Sequence, residues 1–112
     1  MSAVVQRTEA LQRANEIRHR RSVERRELRA LGVGQAIARL GELLLDCPDW
    51  LSTVPVGAAL CWLPHWGPSR ATRLLAPTGV RGARLIGELT DRQRRLLARS
   101  LGHREITAEE QR

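Results

Sequence analysis

Leu63-Pro64-His65-Trp66-Gly67-Pro68-Ser69-Arg70-Ala71-Thr72-Arg73-Leu74-Leu75 reads as two apolar helical segments joined by a tight Pro/Gly turn, a helical hairpin. Where such a turn opens a helix, unpaired backbone N–H groups and the positive end of the helix dipole point outward together. A phosphate can sit there without any base being read. Arg70 and Arg73 fall in the first turn and a half of the second segment. The plainer alternative is an ordinary helix connection with solvated arginines.

Working upstream, the pattern predicts a helix from Pro55 or Val56 to Trp62, with Thr53 as N-cap and Pro55 in a first turn where its missing N–H loses nothing. Leu60 and Leu63 face the core. A connector separates this helix from an earlier one over Gln35 to Leu45, whose Ile37, Leu40 and Leu44 share a side and which the Asp46-Cys47-Pro48-Asp49 cluster ends. Downstream, the two glycines and the proline of residues 77–84 make a loop. Thr90-Asp91-Arg92-Gln93 then opens a last helix with a capping box at Thr90 and Gln93. That helix is expected to run to Leu101 with Gly102 as its stop, and to have Leu89, Leu96, Leu97 and Leu101 as its apolar side.

A long first helix is expected from an N-cap at Thr8 to Leu31, with Gly32 ending it in the left-handed conformation. At about 100° per residue, Arg18, Arg21, Arg25 and Arg29 lie within about 80° of one another, with Glu9, Glu16 and Glu27 opposite. Ile17, Leu28 and Leu31 form a narrow apolar strip, so only part of this helix docks on a core. No run alternates with β-branched residues, and the fold class is therefore all-α. The arrangement expected is about five helices: a long basic helix over 1–34, a compact domain over 35–104 and a flexible tail over 105–112.

Charge divides the chain the same way. All 19 cations are arginine and the net charge is +7. Residues 1–30 hold eight Arg and four Glu, residues 31–69 one Arg against three acids, and residues 70–104 nine Arg against two acids. Two basic arms thus flank an apolar middle, and a polyanion is the natural partner. Guanidinium is also the side chain whose planar fork best matches phosphate.

Several classes fall away. The longest mostly apolar stretch, Val54 to Pro64, is too short for a bilayer and misplaced for a signal peptide, so a cytoplasmic protein is expected. Cys47 and Cys61 are expected to be reduced and to pack as small core residues, since with His65 and His103 they match no zinc spacing. No nucleophile–base arrangement, phosphate-binding loop or paired-carboxylate signature appears. No enzyme, no cofactor and no metal are expected.

Over residues 15–102 the chain resembles the actinobacterial integration host factor family. The resemblance rests on the spaced arginines of the first helix ending in Leu28 and Gly32, on the Leu-Pro-x-x-Gly turn at 63–67 followed by Arg70-Ala71, and on Asp91-Arg92-Gln93-Arg94. It implies a helix-two-turn-helix domain behind a long N-terminal helix, binding of double-stranded DNA with little sequence preference, DNA bending, nucleoid organisation and help to site-specific recombination. Carried onto this chain, it gives a DNA-contacting set of Arg18, Arg21, Arg25, His65, Trp66, Gly67, Ser69, Arg70, Arg73, Arg81, Arg84, Arg92, Arg94 and Arg95. A monomer on DNA is expected, with a recombinase or another nucleoid protein as further partner.

The chain departs from the family pattern in two places. At the hairpin it has His65-Trp66-Gly67-Pro68 where the family has Gly-Val-Gly-Lys, and at 84–90 it has Arg84-Leu85-Ile86-Gly87-Glu88-Leu89-Thr90 where the family is richer in arginine. Cations are thus missing at 68, 85 and 87, and Glu88 would repel phosphate. Trp66 has two readings, packing on the hairpin or an apolar wedge at a minor groove, of which packing is favoured. Structured RNA and an acidic protein partner on the first helix are the rival functions.

Overall fold

The computed structural model describes residues 3–110, and side chains over 3–102; the side chains of His103 and of the tail expected over 105–112 fall outside the described residues. Among the described residues six α-helices make up the fold: α1 (Ala3–Ala30), α2 (Val33–Asp46), α3 (Asp49–Ser52), α4 (Val56–Leu60), α5 (Pro68–Leu75) and α6 (Asp91–Glu110). Two 3₁₀ turns, Ala76–Thr78 and Ile86–Glu88, lie between α5 and α6. The chain is all-α, as its breakers and periodicity require.

The centre is α2, which is apolar on one side and polar on the other. Ala36, Ile37, Leu40, Leu43 and Leu44 are buried, and the helix packs chiefly along α6, where Leu97 and Leu101 meet it. Leu28 of α1, Leu51 of α3, Val56 and Leu60 of α4, Leu74 and Leu75 of α5, and Ile86 and Leu89 close the same core. Cys47 and Cys61 are free thiols packed half-buried against it, beside Trp50 and Trp62. Each fully buried leucine contributes about 1.5–3 kcal/mol relative to exposure.

Several boundaries differ from expectation, each for a local reason. Helix α1 is already formed at Ala3, the first described residue, because nothing in residues 3–7 interrupts it, and Thr8 is an interior residue whose hydroxyl donates to the Val4 carbonyl (2.9 Å). Gly32 ends α1 but is extended (φ −64°, ψ 155°) and serves as the N-cap of α2. The left-handed residue is Cys47, at the end of α2, with its N–H donating to the Leu43 carbonyl. The expected connector at 49–52 winds into α3, and Thr53 caps its C-terminus instead of starting α4. Helix α4 stops at Leu60, short of Trp62. Gly102 does not end α6, which passes through it in helical conformation. Leu96 is 38% exposed, so it does not belong to the apolar side of α6.

After α5 the chain returns antiparallel to residues 54–57. Val56 N–H donates to the Arg84 carbonyl (2.9 Å), Gly57 N–H to Gly82 (2.9 Å) and Ile86 N–H to Val54 (3.0 Å), around a bridge between Pro55 and Leu85. The backbones approach so closely that a Cβ on Gly57 would lie 3.1 Å from the Gly82 Cα. At Gly87 a Cβ would lie 2.8 Å from the Ser52 Cβ and 2.9 Å from its carbonyl oxygen. Two of the three positions read as missing cations are therefore occupied structurally: Leu85 sits half-buried in the bridge, and only glycine fits at 87.

Candidate nucleic-acid interface

The hairpin turn is built by short-range bonds. Leu63 N–H donates to Leu60 (3.2 Å) and Trp66 N–H to Leu63 (3.2 Å), and His65 takes a left-handed conformation (φ 66°) that carries its exposed side chain outward. Gly67 is the extended N-cap of α5 (φ −109°, ψ 179°) and supplies no side-chain cap. Pro68 at the first helical position has no N–H, and Ala71 N–H is the first to bond within the helix, to the Gly67 carbonyl (3.1 Å). The N–H groups of Ser69 and Arg70 therefore stay without an intrahelical acceptor, at the positive end of the helix dipole.

These donors face a polar cleft of about 500 Å³ lined by His65, Gly67, Pro68, Ser69, Arg70 and Arg73. No acidic residue lines it. The Arg70 guanidinium stacks over the Trp66 ring, 5.0 Å from its centroid, which restricts its conformations before any ligand arrives. Trp66 itself is only 7% exposed and belongs to the core, with its Nε1–H buried and unbonded. The wedge reading of Trp66 is thereby overturned: a ring held inside the hairpin core cannot enter a groove, and its role is to seat Arg70.

Two arginines of the expected set are engaged within the protein. Arg21 Nε donates to the Trp50 carbonyl (2.8 Å) and its terminal nitrogen bonds the Thr53 hydroxyl, tying α1 to α3. Arg94 donates to the Leu89 carbonyl (2.9 Å) and pairs with Asp91 across one turn of α6. Both are half-buried, and two donor nitrogens of each guanidinium are already bonded within the protein. Of the others, Arg18 and Arg25 are exposed on α1, Arg81 and Arg84 on the return segment, and Arg92 and Arg95 on the outer face of α6. Arg81 also borders an apolar groove of about 530 Å³ between α4 and α5.

The sequence reading missed the buried charge. Glu24 on α1 is 0% exposed; it accepts from Arg39 of α2 at 2.8 and 3.4 Å and pairs with Arg20 at 3.6 Å. Arg20 lies in turn over the Trp50 ring at 5.3 Å. The hydrogen bond and charge of Glu24 hold the Arg39 guanidinium above its ordinary range, against the opposing effect of burial. The i,i+4 spacing of Arg20 and Glu24 was a visible signal; the burial was not, because it depends on α2 lying alongside.

Among the described residues no helix is long and apolar enough to cross a membrane. No family model matches the chain, and no curated protein or solved structure is similar to it beyond chance.

Proposed function

We propose that this is a non-enzymatic protein that binds double-stranded DNA through its phosphates, bends it and acts in the nucleoid, in the manner implied by its resemblance to actinobacterial integration host factor. The observation that carries the reading is the uncapped N-terminus of α5. Two free backbone donors, an acid-free cleft and Arg70 seated on Trp66 form a preorganised anion site. Arg73 extends it along the helix, and the exposed Arg18, Arg25 and Arg29 of α1 supply a second cationic stripe. Such contacts position a duplex but read little sequence.

Binding should be mostly electrostatic. If about four to six arginines meet phosphates, log K falls against log salt with a slope of about −4 to −5. Arg70→Ala with Arg73→Ala should weaken duplex binding at least about tenfold more than Arg13→Ala with Arg26→Ala, exposed α1 arginines off the main stripe. Fluorescence anisotropy with duplex DNA, duplex RNA and scrambled duplexes as competitors measures both. A salt slope near zero, or equal losses from the two pairs, overturns the reading.

A further inference from the structure

The outer face of α6 carries Arg92, Arg95, Leu96 and Arg99, at the i, i+3, i+4, i+7 spacing that puts four residues on one side of a helix. All four are exposed and border a single shallow concavity of about 380 Å³. Among the described residues none of the three guanidiniums has an ion-pair or hydrogen-bond partner. Leu96 stands among them on the side away from the buried Leu97 and Leu101.

This face differs in kind from the hairpin cleft. At the first turn of α6 the capping box bonds Gln93 N–H to the Thr90 hydroxyl (3.1 Å) and Thr90 N–H to the Gln93 side chain (3.0 Å), which leaves only the N–H groups of Asp91 and Arg92 without an intrahelical acceptor. The carboxylate of Asp91, 80% exposed, stands at that same end. That carboxylate opposes an anion at the remaining backbone donors, whereas no acid lines the hairpin cleft. A sugar-phosphate chain would meet the arginines but would offer Leu96 only the edges of its sugars and no aliphatic side chain. A carboxylate-rich peptide with an aliphatic side chain satisfies both groups.

We propose that this face of α6 docks an acidic helical segment of another protein, its carboxylates on Arg92, Arg95 and Arg99 and an aliphatic side chain against Leu96. The face spans about 10 Å along the helix axis, so the contact is small and exchanges readily. It lies apart from the α5 N-terminus, and it leaves the hairpin free to hold DNA.

The test uses the full chain and a fluorescent synthetic acidic helix of about four turns, with one leucine flanked by glutamates. The peptide should bind; Leu96→Ala should weaken it about fivefold, as should replacing the peptide leucine by serine. Arg95→Glu with Arg99→Glu should abolish it. Circular dichroism should show unchanged helicity in every variant, since all three residues are exposed. Duplex DNA should bind Leu96→Ala within about twofold of the parent and should not displace the peptide, and Arg70→Ala with Arg73→Ala should leave peptide binding intact. Peptide binding indifferent to both leucines, or peptide released by duplex, overturns the proposal. Loss of duplex binding alone bears only on the DNA reading.

Discussion

Among the described residues Glu24 is the one buried charged side chain, and its pairing with Arg39 fastens α1 to α2. Removing one partner of a buried pair leaves the other desolvated and uncompensated, which typically costs about 3–5 kcal/mol. Arg39 is half in solvent here, which lowers the loss. Glu24→Ala is expected to destabilise the protein by about 2–4 kcal/mol in urea unfolding, with helix α1 fraying first in hydrogen exchange. A change under about 0.5 kcal/mol would mean that the pair adds nothing beyond solvated charge. Trp66 acts at the same scale, as a buried platform that fixes one guanidinium of the candidate site.

Helix α6 begins where its local chemistry says it should. The reciprocal Thr90–Gln93 bonds satisfy two of the orphan donors at its start, and Asp91 suits the dipole. Thr90→Ala is therefore expected to cost about 1 kcal/mol, read as a lowered urea midpoint with unchanged slope. An unaltered midpoint would show that packing of Leu97 and Leu101 on α2 holds the helix start without help. The start of α5 differs. At α6 a side-chain cap and an exposed Asp91 carboxylate stand at the N-terminus, whereas at α5 no side chain caps the helix and its donors face a basic cleft.

The whole molecule is elongated, 59 × 29 × 22 Å, with a radius of gyration of 15.7 Å. A compact chain of this length would have about 13 Å. The excess comes from α1, about 42 Å long over its 28 residues and docked only through its second half, where Ile17, Arg21, Glu24 and Leu28 face the body. Two cationic regions on separate elements are what bending requires, because a bend costing about 1–6 kcal/mol persists only if extra contacts repay it. Arg18→Ala with Arg25→Ala is expected to reduce the bend angle measured by fluorescence energy transfer on an end-labelled duplex, while affinity falls less than about tenfold. An unchanged bend would confine the DNA to the hairpin.

Much of the architecture follows from the sequence alone, since helix starts, stops and apolar faces are set by residues a few positions apart. The hairpin at 63–75, the capping box at Thr90, the core leucines of α2 and the separation of basic arms from an apolar middle are all of this kind. Local rules also misjudged Thr8, Gly32 and Gly102, because a favourable cap residue starts or stops a helix only where its neighbours do not propagate through it. The state of each arginine was decided elsewhere. Arg21 is consumed by a carbonyl 29 residues away, Arg39 by a glutamate 15 residues away, and Arg70 is placed by a ring that only the packed hairpin buries. Likewise Gly87 is required by Ser52, on a different element. Guanidiniums identical in sequence become structural or free according to which distant acceptor the packed core brings within reach, and only the tertiary structure supplies that acceptor.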